Sequence, residues 1–257
     1  CRGGCNGHGQ IGGRMNRAQF FDVVRRSFDE PMTQPQVDGI EALLDAGREL
    51  PLHHMANVLA QVRRETAGWM PAIKATVMPW HKNKTPSDAE VIRRLNVAWK
   101  ARKLKGVKAP YWLDGWFGRG QIQITHKANY DRFGVTKEQA LDLPTSARIA
   151  VRGMRDGMFT GKRLSDYDFP AALGHAPAMN PRRIVNGQDG SDGEVALFHR
   201  QFAAALRSAG WVHVNETPKT EHVRPDVLKP EPQLGLVGVL RFIWAALAAV
   251  FVKDKRK

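Results

Sequence analysis

Cysteine is nearly absent from this chain of 257 residues, which carries only Cys1 and Cys5. Both lie in the Gly-rich stretch 1–14, which lacks any apolar period, so no disulfide can form within the rest of the chain. A metal site there would need two further ligands, and we predict no metal. We interpret residues 1–14 as a disordered or non-native leader, with Met15 as the natural start. The domain that follows must be stabilised by packing.

Two further absences restrict the classes of function that the sequence supports. Residues 1–30 lack the apolar core of a secretory signal peptide. The chain is strongly basic, with a formal net charge of +14, but no zinc-finger spacing or RNA-binding aromatic signature accompanies the charge. A basic surface attracts polyanions, which include nucleic acid, anionic lipid and the acidic bacterial wall. We therefore expect no nucleic-acid partner.

Strand signals are also few, so the predicted fold is mainly α-helical with at most a short hairpin. Apolar residues recur at helical spacing over several segments, and we predict helices there: 18–28, 34–46, from about Leu52 to Glu65, after the cap at 85–88, 137–142, 145–158 and 191–208. The best strand candidate is 121–125 (QIQIT), where polar and apolar residues alternate.

The character of the chain changes after Trp211. Residues 212–233 are Pro-rich and charged, which predicts an extended linker. Residues 234–252 (LGLVGVLRFIWAALAAVFV) are apolar except for Arg241 and would span roughly 28 Å as a helix. A basic tail follows. We predict a single C-terminal membrane-associated helix over 234–257. The missing signal peptide favours a domain in the cytoplasm, whereas the basic tail favours the opposite side, so the side is left open.

Glu65 is the strongest candidate for chemistry. It continues the apolar stripe of its predicted helix, and Gly68 lies where that helix would stop and open into a cleft. A part-buried carboxyl at a cleft edge keeps its proton more readily, as a general acid must near neutral pH. The alternative is a structural carboxylate bonded to Arg63 or Arg64, or a simple helix-end residue.

Two other segments carry polar groups suited to sugars. Residues 116–130 (WFGRGQIQITHKANY) hold neutral amides and a hydroxyl that an extended backbone would place on one face. The candidate contacts in this segment are Trp116, Gln121, Gln123, Thr125 and Asn129. The alternative is a polar edge strand. Residues 182–187 (RRIVNG) add Asn186, although Asn-Gly is also an ordinary turn signal before the next helix.

Together these segments resemble glycoside hydrolase family 19, the chitinase-like branch of the lysozyme superfamily, in its bacterial and prophage endolysin-type members. The stretches concerned are 64–68 (RETAG), 118–130 (GRGQIQITHKANY), 183–187 (RIVNG) and 33–40 (TQPQVDGI). The resemblance implies a two-lobed helical domain over 15–211 with a sugar cleft between the lobes. It makes Glu65 the general acid and Asn186 a wall contact, and it assigns the cleft floor to Gln123, Thr125 and Asn129.

The chain departs from the family pattern at two points. Arg64 stands where the family usually has His. Phage-type relatives carry a second Glu about ten residues after the first, whereas 71–76 (PAIKAT) has no carboxylate. Inverting hydrolysis needs a second carboxylate about 6.5–9.5 Å from the first. We name Glu90 as the first candidate, Asp88 as the second and Asp114 as a third, although each could be a cap or a surface charge.

The sequence therefore predicts a hydrolase of β-1,4-glycosidic bonds in peptidoglycan, or in chitin. The expected partners are the glycan and a membrane. Acid–base hydrolysis needs no cofactor, and we expect a monomer. The main alternative is a non-catalytic, membrane-tethered glycan-binding protein with a degenerate acid/base pair. A toxin- or holin-like membrane protein is a third possibility, against which the long polar domain argues.

Overall fold

The computed structural model of the protein describes residues 15–78, 81–104 and 107–211. The predicted leader, linker and membrane helix lie outside the described residues. Within them the fold is mainly α-helical, as predicted. Its helices are α1 (Arg17–Val24), α2 (Gln34–Ala46), α3 (Leu52–Glu65), α4 (Asp88–Lys100), α5 (Lys127–Phe133), α6 (Leu143–Asp156) and α7 (Asp192–Ser208), with two short strands, β1 (Ile73–Lys74) and β2 (Arg119–Gly120). Short 3₁₀ helices occur at Arg25–Ser27, Gln139–Leu141, Leu164–Asp166, Ala171–Gly174 and Pro181–Ile184.

Helix α3 lies at the centre of the larger hydrophobic core. Its apolar residues Met55, Val58, Leu59 and Val62 are fully buried, and the helix packs most extensively on α7. Helices α1, α2 and α6 complete this core. A second, smaller apolar cluster forms around α4 and the segment after it, and includes Leu95, Trp112 and Phe117. The part of the chain that the structure describes contains no helix long and apolar enough to cross a membrane.

The predicted helices over 34–46, from about Leu52 to Glu65 and over 191–208 are confirmed to within a residue. The helix predicted over 18–28 gives way to a 3₁₀ turn after Val24, and the one predicted over 145–158 spans Leu143–Asp156. Local capping explains several of these helix starts. Helix α2 begins with a capping box between Thr33 and Gln36. Ser87 caps α4 by accepting a hydrogen bond from the Glu90 amide, and Asp142 caps α6 in the same manner. The predicted helix over 137–142 is wrong in type, since only a 3₁₀ turn at Gln139–Leu141 forms there.

The predicted strand over 121–125 is wrong. Backbone bonds pair Arg119 with Ile124 in both directions, at 3.2 and 3.0 Å, and residues 121–123 form the turn between them. Gln123 has a left-handed backbone with φ of 54°. All five residues of the segment are buried. The alternation that predicted a half-exposed strand instead comes from a tight loop whose glutamines face inward.

The loop is joined to the region after α3 by the small sheet. Strands β1 and β2 run antiparallel, with Ile73 opposite Gly120 and Lys74 opposite Arg119. This pairing brings residues 73–74, which follow the 64–68 motif in sequence, against the Gly-Arg-Gly motif.

Candidate functional site

Glu65 is the last residue of α3, and its side chain is only 2% exposed. Its partner is Arg182, whose Nη2 donates to Glu65 Oε1 at 2.5 Å. The sequence alternative named Arg63 or Arg64 as partner, and the structure assigns both elsewhere. Arg63 donates to Ser27 and Gln201, and Arg64 pairs with Glu194 at 2.9 Å.

The loop before α7 supplies Arg182. Asn180 caps the 3₁₀ helix Pro181–Ile184 by accepting from the Arg182 amide at 2.9 Å. Further along the same loop, Asp189 accepts from the amide and hydroxyl of Ser191, immediately before α7 begins. The loop folds so that Asp189 Oδ2 lies 2.7 Å from Nη2 of Arg182. Arg182 thus lies between two buried carboxylates.

The charges of this trio stabilise one another. Burial alone would lower the pKa of Arg182, but the carboxylates of Glu65 and Asp189 outweigh it and raise the pKa above its ordinary value. Burial would raise the pKa of Asp189, yet its hydrogen bonds from Arg182 and Ser191 bring that pKa down to about 2. The arginine and Asp189 are therefore charged at neutral pH.

The second carboxylate oxygen of Glu65 is free. Among the described residues, none donates a hydrogen bond to Oε2. The buried side-chain atoms that lack a partner include Gln121 Oε1 and Thr76 Oγ1 but not Glu65 Oε2. Arg182 therefore bonds one oxygen of a carboxyl whose side chain is 2% exposed, and none of the described residues bonds the other oxygen.

Asp88 is held by two cations from the small sheet. Lys74 Nζ lies 2.8 Å from Oδ1, and Arg119 Nη2 donates to Oδ2 at 2.6 Å. Partial burial would raise the pKa of Asp88, but the hydrogen bonds and charges of Lys74 and Arg119 lower it overall. Asp88 still exposes 43% of its side chain. It is an ionised, accessible carboxylate beside the Gly-Arg-Gly loop.

Glu90 has a less favourable environment. Both of its oxygens accept from arginines on its own helix, Arg93 and Arg94. These hydrogen bonds lower its pKa to about 2. Asp114 is exposed, and Lys137 bonds its backbone carbonyl rather than its carboxylate. Glu90 is thus bonded to arginines of its own helix, whereas Asp88 is bonded to cations of the two strands, and the identity of the base stays a prediction.

The amides of the QIQIT segment hold backbone carbonyls. Gln121 Nε2 donates to Gly39 and Met70, at 2.9 and 2.7 Å. Gln123 Nε2 donates to Ile73 and Gly120, at 3.0 and 2.8 Å. Both side chains are almost fully buried. Their donors fix the loop against β1, and their contact with a sugar stays a prediction.

The other predicted contact residues are similarly engaged. Thr125 Oγ1 donates to the Gln123 carbonyl, and Asn129 Nδ2 donates to the Thr125 carbonyl. Asn186 donates to Asp189 Oδ2 at 3.2 Å, so it supports the Arg182 trio. Trp116 is half-buried, edge-on to Tyr130 and 4.4 Å from the Lys137 ammonium. Its indole is the least committed of these groups.

Besides Arg182 and Lys74, three more residues near the site carried no assigned role in the sequence. Arg119 is almost fully buried and holds Asp88, the Gly115 carbonyl and the Tyr130 hydroxyl. Gln61 and Asp189 contact Arg182. Gln61 precedes Glu65 by four residues on the same helix, a spacing that could have identified it. Asp189 gave no comparable local signal.

Two surface grooves lie away from this site. One of about 350 Å³ is lined by residues of α5 and α6, including Phe133 and Arg148. The other, of about 480 Å³, lies between α2 and the start of α6. Neither contains a predicted site residue. Within the described ranges, no group of three His, Cys, Asp or Glu side chains is arranged to hold a metal ion.

No protein-family model, curated protein or solved structure matches the chain.

Proposed function

We propose that the protein hydrolyses β-1,4-glycosidic bonds of bacterial peptidoglycan, or of chitin, with Glu65 as general acid in a family 19-like, two-lobed domain over 15–211. The observation that carries the proposal is the state of the Glu65 carboxyl. It is buried at the end of α3, with one oxygen held by Arg182 and the other without a hydrogen bond from the described residues. A general acid must be held in one orientation and must reach the leaving oxygen. The bond from Arg182 supports the first need, and we assign the second to the unbonded Oε2.

Asp88 is the carboxylate that we assign to the water. Inverting hydrolysis needs an ionised group to accept a proton from water on the far side of the sugar ring. Asp88 is ionised and accessible, and Lys74 and Arg119 anchor it to the two strands. Lys74 and Arg119 lower the pKa of Asp88 and keep it ionised, so its carboxylate would be available to accept that proton as the water attacks the sugar.

The basic charge favours peptidoglycan over chitin. The net charge is +14, and the bacterial wall is acidic whereas chitin is neutral. We further propose that 234–257 hold the chain at a membrane, which would keep the domain close to the wall. The linker 212–233 would separate the domain from the membrane-associated segment.

The substrate assay compares purified peptidoglycan with chitin, using the full chain. New reducing ends should appear in the peptidoglycan sample, together with a fall in turbidity, and more slowly or not at all with chitin. Reducing ends from chitin alone would move the substrate to the alternative. If neither substrate yields reducing ends at any pH between 4 and 9, the proposed hydrolysis is wrong.

A second candidate function is glycan binding without hydrolysis. It is favoured by one observation: Glu65, Asp88 and Glu90 are each engaged by a cation. Carboxylates bound in this manner suit a rigid binding surface as well as a catalytic one. Co-sedimentation of the protein with insoluble peptidoglycan, without release of reducing ends, would support this function instead.

A further inference from the structure

A line of buried polar side chains runs along one face of α3. His53, Asn57, Gln61 and Glu65 recur at four-residue spacing, which places them one above the other on that face. Asn57 and Gln61 are fully buried. Buried polar groups are stable only when hydrogen-bonded, so each must have partners with fixed geometry. Gln61 links this line to the Glu65 ion pair.

The partners of Gln61 determine the orientation of its amide. Its Nε2 donates to the Pro181 carbonyl at 3.0 Å and to Asn57 Oδ1 at 3.3 Å. Its Oε1 accepts from Arg182 Nη1 at 2.7 Å. A carbonyl can only accept and a guanidinium can only donate, so the reversed amide would lose both contacts. The orientation therefore follows from the chemistry of the neighbours.

Gln61 and Asp189 together fix the plane of the Arg182 guanidinium. That group is flat, and its donors leave it in set directions. Nη2 bonds to Glu65 and Asp189, and Nε also donates to Asp189 Oδ2 at 3.2 Å. Nη1 bonds to Gln61 on the other side of the group. The direction in which Nη2 meets Glu65 therefore depends on Gln61 as well as on Asp189.

On the side of Gln61 away from Arg182, Asn57, His199 and His53 continue the line of polar side chains and keep Gln61 in place. Asn57 Nδ2 lies 3.4 Å from His199 Nδ1, and His199 Nε2 lies 3.1 Å from His53 Nδ1. His199 is fully buried and stacked between His53 and Phe169. Since Asn57 contacts both Gln61 and His199, and His199 contacts both Asn57 and His53, Gln61 has little freedom to turn away from Arg182.

We propose that Gln61 is a positioning residue for the hydrolysis, holding Arg182 so that the Glu65 carboxyl keeps its unbonded oxygen toward the leaving group. The inference rests on the proposed function of Glu65. Gln61 reaches the reacting atoms only through Arg182.

The test compares two matched substitutions in the full chain, Gln61→Leu and Gln201→Leu. Gln201 is the control because its Oε1 accepts from Arg63 at 3.0 Å, the same kind of contact beside the same helix, but with an arginine that does not bond Glu65. Gln61→Leu should lower kcat by about 10- to 100-fold with little change in KM, because the acid is misplaced while the glycan still binds. Gln201→Leu should leave both constants near the parental values.

A second readout does not depend on activity. The guanidinium NH signals of Arg182, assigned by their loss in Arg182→Lys, should be separate in the parent and averaged by rotation in Gln61→Leu. They should stay separate in Gln201→Leu. If Gln61→Leu keeps separate Arg182 signals, or hydrolyses as fast as Gln201→Leu, the inference is overturned. If the parent hydrolyses no glycan, the proposed function fails, and the Arg182 signals still decide whether Gln61 holds that group.

Gln61→Glu keeps the test decisive if the leucine variant does not fold. When protonated, the new carboxyl can accept from Arg182 and donate to the Pro181 carbonyl, as the amide does. When ionised, it faces that carbonyl with a negative charge and competes with Glu65 for Arg182. The ratio of variant to parental activity should therefore rise toward one as the pH is lowered. A ratio that does not change with pH would contradict the inference.

Discussion

Arg182 donates to the carboxylate of Glu65 across 117 residues of sequence, and both side chains are nearly inaccessible to solvent. The contact joins the end of α3 to the loop before α7. It serves the fold and the proposed chemistry together, because the same guanidinium neutralises two buried carboxylates and orients one of them. The predictions below separate these roles.

Removing the buried cation should destabilise the protein strongly. Arg182→Met removes the cation shared by two buried carboxyl groups, Glu65 and Asp189, which costs about 3–5 kcal/mol. Arg93→Met removes an arginine that pairs with Glu90 on the surface and should change the stability much less. Urea unfolding of both variants measures the difference. Equal urea midpoints for the two variants would show that the ion pairs of Arg182 with Glu65 and Asp189 contribute no more to stability than a surface pair.

Stability should fall as the pH is lowered through the histidine range. Burial lowers the pKa of His199 to about 3, and the positive charges of His53, Arg200 and His54 act in the same direction. The unfolded chain takes up this proton near pH 6.5, whereas the folded chain does not until about pH 3. His199 therefore favours folding fully above pH 6.5, and this advantage is lost progressively between pH 6.5 and 3.

His199→Gln should reduce that pH dependence. The slope contributed by one proton is about 1.4 kcal/mol per pH unit. Unfolding free energies measured at several pH values from 7 to 4.5 should fall more steeply for the parent than for the variant. This range lies above 3.8, the ordinary pKa of the Asp189 carboxyl in the unfolded chain, as well as above its folded pKa of about 2, so Asp189 adds little to the slope. Parallel curves would contradict the assignment.

Gln123→Ala should lower the stability of the fold, and this effect should be larger than any direct effect on glycan binding. The side chain donates to the carbonyls of Ile73 and Gly120, one on each strand of the small sheet. Losing it leaves two buried acceptors without this donor, at about 1–3 kcal/mol. Thermal unfolding should show a lower midpoint. A variant with parental stability and weakened glycan binding would restore the cleft-floor role that the sequence suggested.

The C-terminal segment should hold the chain at a membrane. The full chain should sediment with membranes and resist a high-salt wash, because burial of apolar surface is not screened by salt. A chain shortened to residues 15–211 should stay in the supernatant. Release of the full chain by salt alone would mean that the basic tail binds the surface electrostatically and 234–252 are not inserted.

Sequence reasoning predicted the local features of the fold better than the distant ones. Helix α2 and its capping box follow from residues within one short stretch, so periodicity and cap chemistry suffice. The partner of Glu65 did not follow, because Arg182 approaches it only once α3 packs against α7. The prediction of a strand at the QIQIT segment, 121–125, was wrong for a related reason. Its glutamines are buried by contacts with Gly39, Met70 and Ile73, none of which is local.

The central claim is that Glu65 supplies the proton, and Glu65→Gln tests it most directly. Glutamine keeps an oxygen for Arg182 and the volume of the side chain but has no proton to donate to the leaving oxygen. The matched control is Glu194→Gln, whose carboxylate pairs with Arg64 on a half-exposed surface. Reducing-end release from peptidoglycan should fall by about 10²–10⁴-fold in Glu65→Gln and stay near the parental rate in Glu194→Gln. Near-parental release by a folded Glu65→Gln protein would contradict the account.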